Sequence, residues 1–380
     1  MNAPTGWGET ARVLAAGFAQ RAAAHDRDGS FPHENFAELH AAGLLALAAP
    51  RTLGGQGAPL AQLADVIGAI GRGCPATALV LTMQYMQQRG MGRADSPWPE
   101  ALARRVVREA VEGVSLINAL RVEPELGSPA RGGLPATVAR RTPEGWRLSG
   151  RKIYSTGAPI LRWYAVWACT DEAAPRVGTF LVRADSPGVR IDPTWDHLGL
   201  RASGSHDVVL QDVPTPPDHV LDLQPAGTRA LADGAFQAEM TLLLGALYTG
   251  VARAARDWLL RFLRERVPSN LGAPLATLAR VQEAVGRIEA MLLSSQRLLD
   301  GLAHDLDGGT PVGAVQAGLL KTVVMRNAAD AVQEALALTS NHGLSRSNPL
   351  ERHLRDVLCG RVHTPQDDSV LIAAGRAALG

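Results

Sequence analysis

The sequence predicts an α+β chain that is mainly α: an N-terminal helical domain (residues 1–113), a middle antiparallel β-barrel or sandwich (114–222) and a C-terminal four-helix bundle (223–380). Up to about residue 112, Ala and Leu recur at three- and four-residue steps, the period of a helix with one buried face. From about 114 to 222, short runs of Val, Trp, Tyr and Thr alternate with Gly, Pro and Asp clusters, a pattern of strands and turns. After about 226 the helical stripes return and lengthen. The order also excludes a doubly wound α/β sheet, because no strand–GxGxxG–helix unit and no GxxxxGK[ST] loop occurs.

Each element has a local reason. Glu9 to His25 repeats Ala, Val, Leu and Phe at helical spacing, and Pro32 opens a second helix to Ala42, as proline suits a first turn. The glycines of Arg51 to Gly57 mark a loop. Helices are expected at Pro59 to Ile70, Ala76 to Gln88 and Pro99 to Val111. Strands are expected at Val114 to Ala119, Ala136 to Arg140, Trp146 to Ile153, Tyr164 to Cys169, Gly178 to Arg183 and Asp207 to Val213. Closely spaced strands with polar turns suggest a barrel or sandwich. Gln237 to Arg266, Ala276 to Asp305 and Pro311 to Leu338 carry long apolar stripes, and Asn348 to Leu358 a shorter one, as in an antiparallel bundle.

Composition narrows the partners. Lys+Arg number 38 against 37 Asp+Glu, which supplies no electrostatic reason for nucleic acid or an anionic membrane. Cys74, Cys169 and Cys359 are odd in number and far apart, so neither a disulfide framework nor a CxxC metal site is expected. The N-terminus lacks a basic stretch followed by an apolar run, and the apolar run Met240 to Val251 is too short to span a bilayer. A cytoplasmic chain is the expectation.

Four motifs, in order, resemble the acyl-CoA dehydrogenase superfamily of flavoenzymes over essentially the whole chain. Val122-Glu123-Pro124-Glu125-Leu126-Gly127-Ser128 is similar to the family's TEPxxGS segment; Ser128 matches a flavin-contacting serine, and Val122 stands where threonine is common. Gly150 to Ala158 (GRKIYSTGA) is similar to NGxKxWITNG, which implies Tyr154 against the isoalloxazine ring and Ser155 and Thr156 at its polar edge. Leu198 to Ser205 followed by Val208 to Pro214 is similar to MGxRxSxT then VxFxDVxVP; Arg201 and Ser203 are candidates for substrate contact, with a salt bridge and a turn as their plain structural alternatives. Asn348 to Asp356 is similar to the helix that carries ERxxRD. The resemblance implies an FAD lying between the β domain and the bundle, a homotetramer or dimer, and an electron-transfer partner.

The chain then departs from the family. The catalytic glutamate of the usual YEGT motif is replaced: Arg361-Val362-His363-Thr364-Pro365 puts Thr364 at the glutamate position. Glu239 falls near the place on the first bundle helix where some members carry the base; otherwise it is a helix-start carboxylate suited to the dipole. His363-Thr364-Pro365 is similar to a His-x-Pro stretch of reduced-flavin-dependent monooxygenases of this fold, in which that histidine handles a proton; otherwise it is a helix-end histidine. Gln84 stands where such monooxygenases often have a second histidine. The family's RxxFG, which holds the far end of the neighbouring subunit's FAD, is matched by Arg266 and Leu271 with altered spacing, and its QxxGGxG loop keeps only Gly343, so FMN is an alternative to FAD. The first expectation is an acyl-thioester dehydrogenase. The alternatives are a monooxygenase supplied by a flavin reductase, and a homologue that keeps the fold without turnover. The substrate is a small molecule, and no metal is expected.

Overall fold

The computed structural model describes residues 6–126, 133–226 and 234–380. Five helices come first: α1 (Trp7–Asp28), α2 (His33–Ala41), α3 (Leu60–Gly73), α4 (Pro75–Met91) and α5 (Glu100–Glu112). Eight strands follow: β1 (Leu116–Leu120), β2 (Val138–Thr142), β3 (Gly145–Lys152), β4 (Leu161–Thr170), β5 (Arg176–Arg183), β6 (Val189–Asp192), β7 (Asp207–Thr215) and β8 (Val220–Pro225). The chain ends in α6 (Gly234–Glu265), α7 (Ala279–Asp307), α8 (Ala314–Ala337), the short α9 (Asn341–Leu344), α10 (Leu350–Leu358) and α11 (Asp367–Leu379). The fold class read from the sequence is the one observed. Strands β6 and β8 and helix α11 are additions to it, and β8 runs across residues 222 and 223. Among the described residues, no helix is long and apolar enough to cross a membrane.

The sheet runs β6-β7-β3-β2-β4-β5-β8, with β1 also on β4. It is not purely antiparallel: β1 and β2 both pair parallel with β4, at Leu116–Leu161 to Leu120–Val166 and at Val138–Cys169 to Ala139–Thr170. Because β5 occupies one edge of β4, β1 and β2 share the other end to end. Alternation of apolar residues identifies each strand, but it carries no direction of pairing.

The helical parts share one core. α3 lies against α6, and side chains from both, with those of α1, α4, α8 and the inner face of the sheet, form a single buried apolar cluster. A Cβ at Gly250 of α6 would lie 2.4 Å from the Gly68 carbonyl oxygen of α3, so only glycine permits this backbone approach. The N-terminal helices and the bundle are therefore one packed body.

The two flavin-type motifs are tied together inside the sheet by a buried ion pair. Lys152 Nζ donates to Glu123 Oε1 at 2.6 Å and to the Trp167 carbonyl at 2.5 Å. The same carboxylate accepts from Ala136 N, Thr137 N and Thr137 Oγ1. Burial acts to raise the Glu123 carboxyl, but Lys152 and Thr137 outweigh it and the group ends below its usual range. Burial pulls the Lys152 ammonium down to about 8, against the opposing pull of Glu123. Removing one partner strands a buried charge. Lys152→Met is expected to lower stability by about 3–5 kcal/mol in urea unfolding, and the Glu123→Gln/Lys152→Met double variant to recover part of that loss. Additive losses would mean that the two groups do not interact.

Candidate functional site

Two groups of residues are candidates, one on the β domain and one on the bundle, and α10 ties the segments that carry them together. The first is built on the chain leaving β3. Tyr154 adopts a left-handed backbone (φ 55°) and leaves its ring 52% exposed, edge-on to Trp195 and His197, which stack on each other at 3.7 Å. The next residues turn back into the protein. Thr156 Oγ1 lies 3.0 Å from Ser205 Oγ, which lies 2.8 Å from Ser203 Oγ, so three hydroxyls form a chain. Asn118 of β1 donates to the Thr156 carbonyl at 3.0 Å and fixes the turn against the sheet. Ser155 Oγ is buried with no partner. A buried orphan hydroxyl needs an explanation, and a polar ligand edge beside the exposed Tyr154 face supplies one. The planar, polar-edged ring of a flavin fits this donor set. Val122 contributes only its carbonyl, which accepts from Ile153 N, and Ser128 lies outside the described residues.

The second group belongs to the bundle. His363 follows α10, and its Nε2 lies 2.7 Å from the hydroxyl of Tyr248 on α6. Desolvation, then the nearby Lys321 charge, pushes the imidazole down to about 4, so it is neutral near pH 7. Burial, with the Cys359 and Asp356 groups, pushes the Tyr248 phenol well above its usual value. Lys321 Nζ donates to the Pro365 carbonyl at 2.8 Å and holds the histidine's own loop on α8.

The two groups are joined by α10. Asp356 Oδ1 accepts from Leu200 N at 2.7 Å, and Arg355 donates to the Leu198 carbonyl and to both carboxylate oxygens of Asp26 on α1. The segment that carries Trp195 and His197 is thereby held against the helix that leads to His363. Burial raises Asp356 to about 6, and burial followed by the Arg352 charge lowers His353 to about 3.

Several residues expected at the site have other duties. Glu239 is held by Arg89, which donates to Oε1 at 3.0 Å and Oε2 at 3.4 Å, with Arg93 4.0 Å away. It is 7% exposed, not a solvated helix-start carboxylate. Gln84, expected at the substrate, accepts from Ile117 N and donates to the Leu45 carbonyl; it braces β1 on α4. Arg201 donates to the Asp26 and His197 carbonyls and to Asp196, the salt-bridge role that was its structural alternative. Ser203 lies inside the hydroxyl chain and is fully buried. Arg266 lies just past the end of α6, near α9, because the Phe262 and His342 rings are 5.2 Å apart there. Arg266 is about 27 Å along the helix direction from Tyr248 at 1.5 Å per residue, well away from His363. A Cβ at Gly343 would lie 2.2 Å from Thr339 Oγ1, so packing alone accounts for this glycine.

Tyr248, Asn118, Ser205 and Arg89 were not singled out from the sequence. The one available signal was Tyr248 itself, a hydroxyl set in the apolar run Met240 to Val251. A cavity of about 530 Å³ between α3, α6 and α7 is lined by none of the residues discussed for the site.

The buried groups set a pH dependence. His353 and His363, ordinarily near 6.5, stay neutral in the folded chain down to about 3 and about 4. Below pH 6.5 the unfolded chain therefore binds protons that the folded chain does not, and stability falls with pH. Asp356, raised to about 6, opposes this below pH 6 but is one group against two. The urea midpoint is expected to drop between pH 7 and pH 4.5. The drop should shrink by roughly 2 kcal/mol in His363→Asn; an unchanged slope in the variant would contradict a neutral His363.

Comparison with known proteins agrees with this architecture. Family profiles for the acyl-CoA dehydrogenase N-terminal, middle and C-terminal domains match residues 8–90, 121–213 and 242–367. The chain is 33% identical to the YdbM protein of Bacillus subtilis (strain 168), whose name places it with the acyl-CoA dehydrogenases, over 96% of this chain and 94% of that one. It is 30% identical to the L-evernosamine nitrososynthase of a Micromonospora species over 97% and 90% of the two chains. Among solved structures it resembles KijD3 in complex with FMN and dTDP-3-amino-2,3,6-trideoxy-4-keto-3-methyl-D-glucose, with 29% identity, a TM-score of 0.85 and coverage of 100% and 95%. The chain belongs to the acyl-CoA dehydrogenase family and is a flavin-dependent oxidoreductase within it.

Proposed function

We propose that this chain is a reduced-flavin-dependent monooxygenase acting on a small molecule, and not an acyl-thioester dehydrogenase. The observation that carries the reading is the two-point hold of Arg89 on Glu239. Dehydrogenation of a thioester needs a carboxylate free to reach the proton on Cα. Thr364 stands at the family's usual base position, and both oxygens of Glu239 already accept from a guanidinium. What stands on the bundle instead is a neutral imidazole with a phenol behind it.

When bound, the reduced flavin supplies the two electrons that let O₂ deliver one oxygen to substrate and release the other as water, with two protons taken up. Ser155 and Thr156 hold the polar edge of the ring and Tyr154 covers a face. His363, a neutral imidazole at pH 7, would offer a hydrogen bond from the bundle side, the two protons coming with the reduced flavin and from solvent. The likeness to KijD3 solved with FMN, together with the internal packing of Gly343, favours FMN over FAD. A separate flavin reductase supplies the electrons. The KijD3 title also names an amino-sugar nucleotide, which makes amine-bearing sugar nucleotides the first substrates to try.

Two experiments test the reading. Anaerobic addition of short- and medium-chain acyl-CoA thioesters to flavin-loaded protein is expected to leave the oxidised-flavin absorbance unchanged, whereas bleaching would overturn the proposal. With reductase, NADH, FMN, O₂ and an amino-sugar nucleotide panel, an oxygenated product is expected. His363→Ala should lower its rate by roughly 100-fold, the scale of a lost hydrogen-bond donor to developing charge, while Glu239→Gln retains most of it.

A further inference from the structure

The Tyr248 hydroxyl is fully buried, and His363 Nε2 is its hydrogen-bond partner at 2.7 Å. A phenol is both donor and acceptor, and a neutral imidazole has one nitrogen of each kind. The contact can therefore be made in two ways. If Nε2–H donated to the phenol oxygen, the phenol O–H would need a second acceptor, and among the described residues none is within reach. Leaving a buried donor unmade costs about 1–3 kcal/mol. If the phenol donates to Nε2, both groups are satisfied.

The surroundings do not reverse this choice. Tyr248 faces Met325 of α8 through Gly360, and the Cys359 and Asp356 groups act only to keep its phenol protonated. The charges near His363 are Lys321 of α8, which disfavours imidazolium, and Asp367 of α11, which lies 3.8 Å from Lys321 Nζ. His363 Nδ1 bonds to no described residue, and the histidine is half-buried. The imidazole thus has one nitrogen engaged by Tyr248 inside the bundle and one left for another partner.

We propose that Tyr248 is a positioning residue: by donating its hydroxyl to His363 Nε2 it holds the imidazole as the Nδ1–H tautomer, so that the histidine presents a hydrogen-bond donor, and not an acceptor, at its other nitrogen. This deepens the monooxygenase reading, in which a hydrogen-bond donor steadies the charge that develops as O₂ is reduced. The tautomer itself is a property of the chain and does not depend on that reaction. Fixing a ring's tautomer through its second nitrogen is the general way in which histidine is oriented for chemistry.

The test is ¹⁵N magic-angle-spinning NMR of the flavin-loaded protein labelled at the histidine rings, at pH 7, with His363 assigned by its loss in His363→Asn. Nδ1 is expected to carry the proton and Nε2 to give the signal of an unprotonated, hydrogen-bonded nitrogen. A protonated Nε2 in the wild type overturns the proposal, whatever the activity and whether or not any variant folds. In Tyr248→Phe, which keeps the ring and removes the donor, a mixture of tautomers is expected. Turnover should fall on the order of 10- to 100-fold, the range seen when a histidine loses its orienting partner, with substrate KM unchanged. A Tyr248→Phe protein that keeps the Nδ1–H form alone would also overturn the proposal. If the wild type has the expected tautomer but acyl-CoA bleaches its flavin, the monooxygenase reading fails while the tautomer assignment stands.

Discussion

The Lys152–Glu123 pair is the constraint on which the β-domain group depends. Two oppositely charged groups buried in the sheet have no solvent to replace either partner. Their pairing joins the segment after β1 to the last residue of β3, and Ile153 N donating to the Val122 carbonyl repeats that join one residue further on. The chain must then leave β3 in one direction. Tyr154, Ser155 and Thr156 follow at once, so the exposed ring, the orphan hydroxyl and the hydroxyl chain inherit their positions from a salt bridge that takes no part in the chemistry. Glu123 and Lys152 each sit inside a family-like motif, and their contact gives a structural reason for those residues in both.

The bundle group depends on close packing, not on charge. α6 is long, and its middle is pressed against α3 where glycine allows the backbones to meet. That contact sets the rotation of α6 about its axis. The same rotation turns Glu239 toward Arg89 of α4 and Tyr248 toward the loop after α10. One helix phase therefore removes a candidate base and supplies a partner for the histidine. α10 then joins the two groups through Asp356 and Arg355, whose buried contacts hold the β-domain loop and α1 to a single helix.

The two groups are unlike: hydroxyls and an aromatic face on the β domain, a neutral imidazole backed by a phenol on the bundle. No described carboxylate discussed for the site is left unengaged by arginine or backbone N–H groups. Dehydrogenation needs a free carboxylate, whereas oxygen chemistry is served by hydrogen-bond donors. The family fold admits both kinds of chemistry, so the fold alone does not decide between them.

Local pattern determined much of this protein. Helical spacing, strand alternation and Gly/Pro punctuation are short-range properties, and they sufficed for the fold class, the order of elements and the location of the flavin-type motifs. The replacement of the family glutamate by Thr364, with His363 beside it, was also legible from order along the chain. Tertiary structure decided the partners. Arg89 and Glu239 are 150 residues apart, and Tyr248 and His363 are 115 apart. Whether such groups meet depends on the rotation of long helices and on which edges of β4 are occupied, and neither leaves a periodic trace in the sequence. For the same reason the internal contacts of Gln84, Arg201 and Gly343, which fall where family residues serve ligands, were not legible: they brace backbone, join domains and fill a packed corner. A motif fixes a residue's place along the chain, whereas its role is fixed by what the packed chain leaves within hydrogen-bond reach.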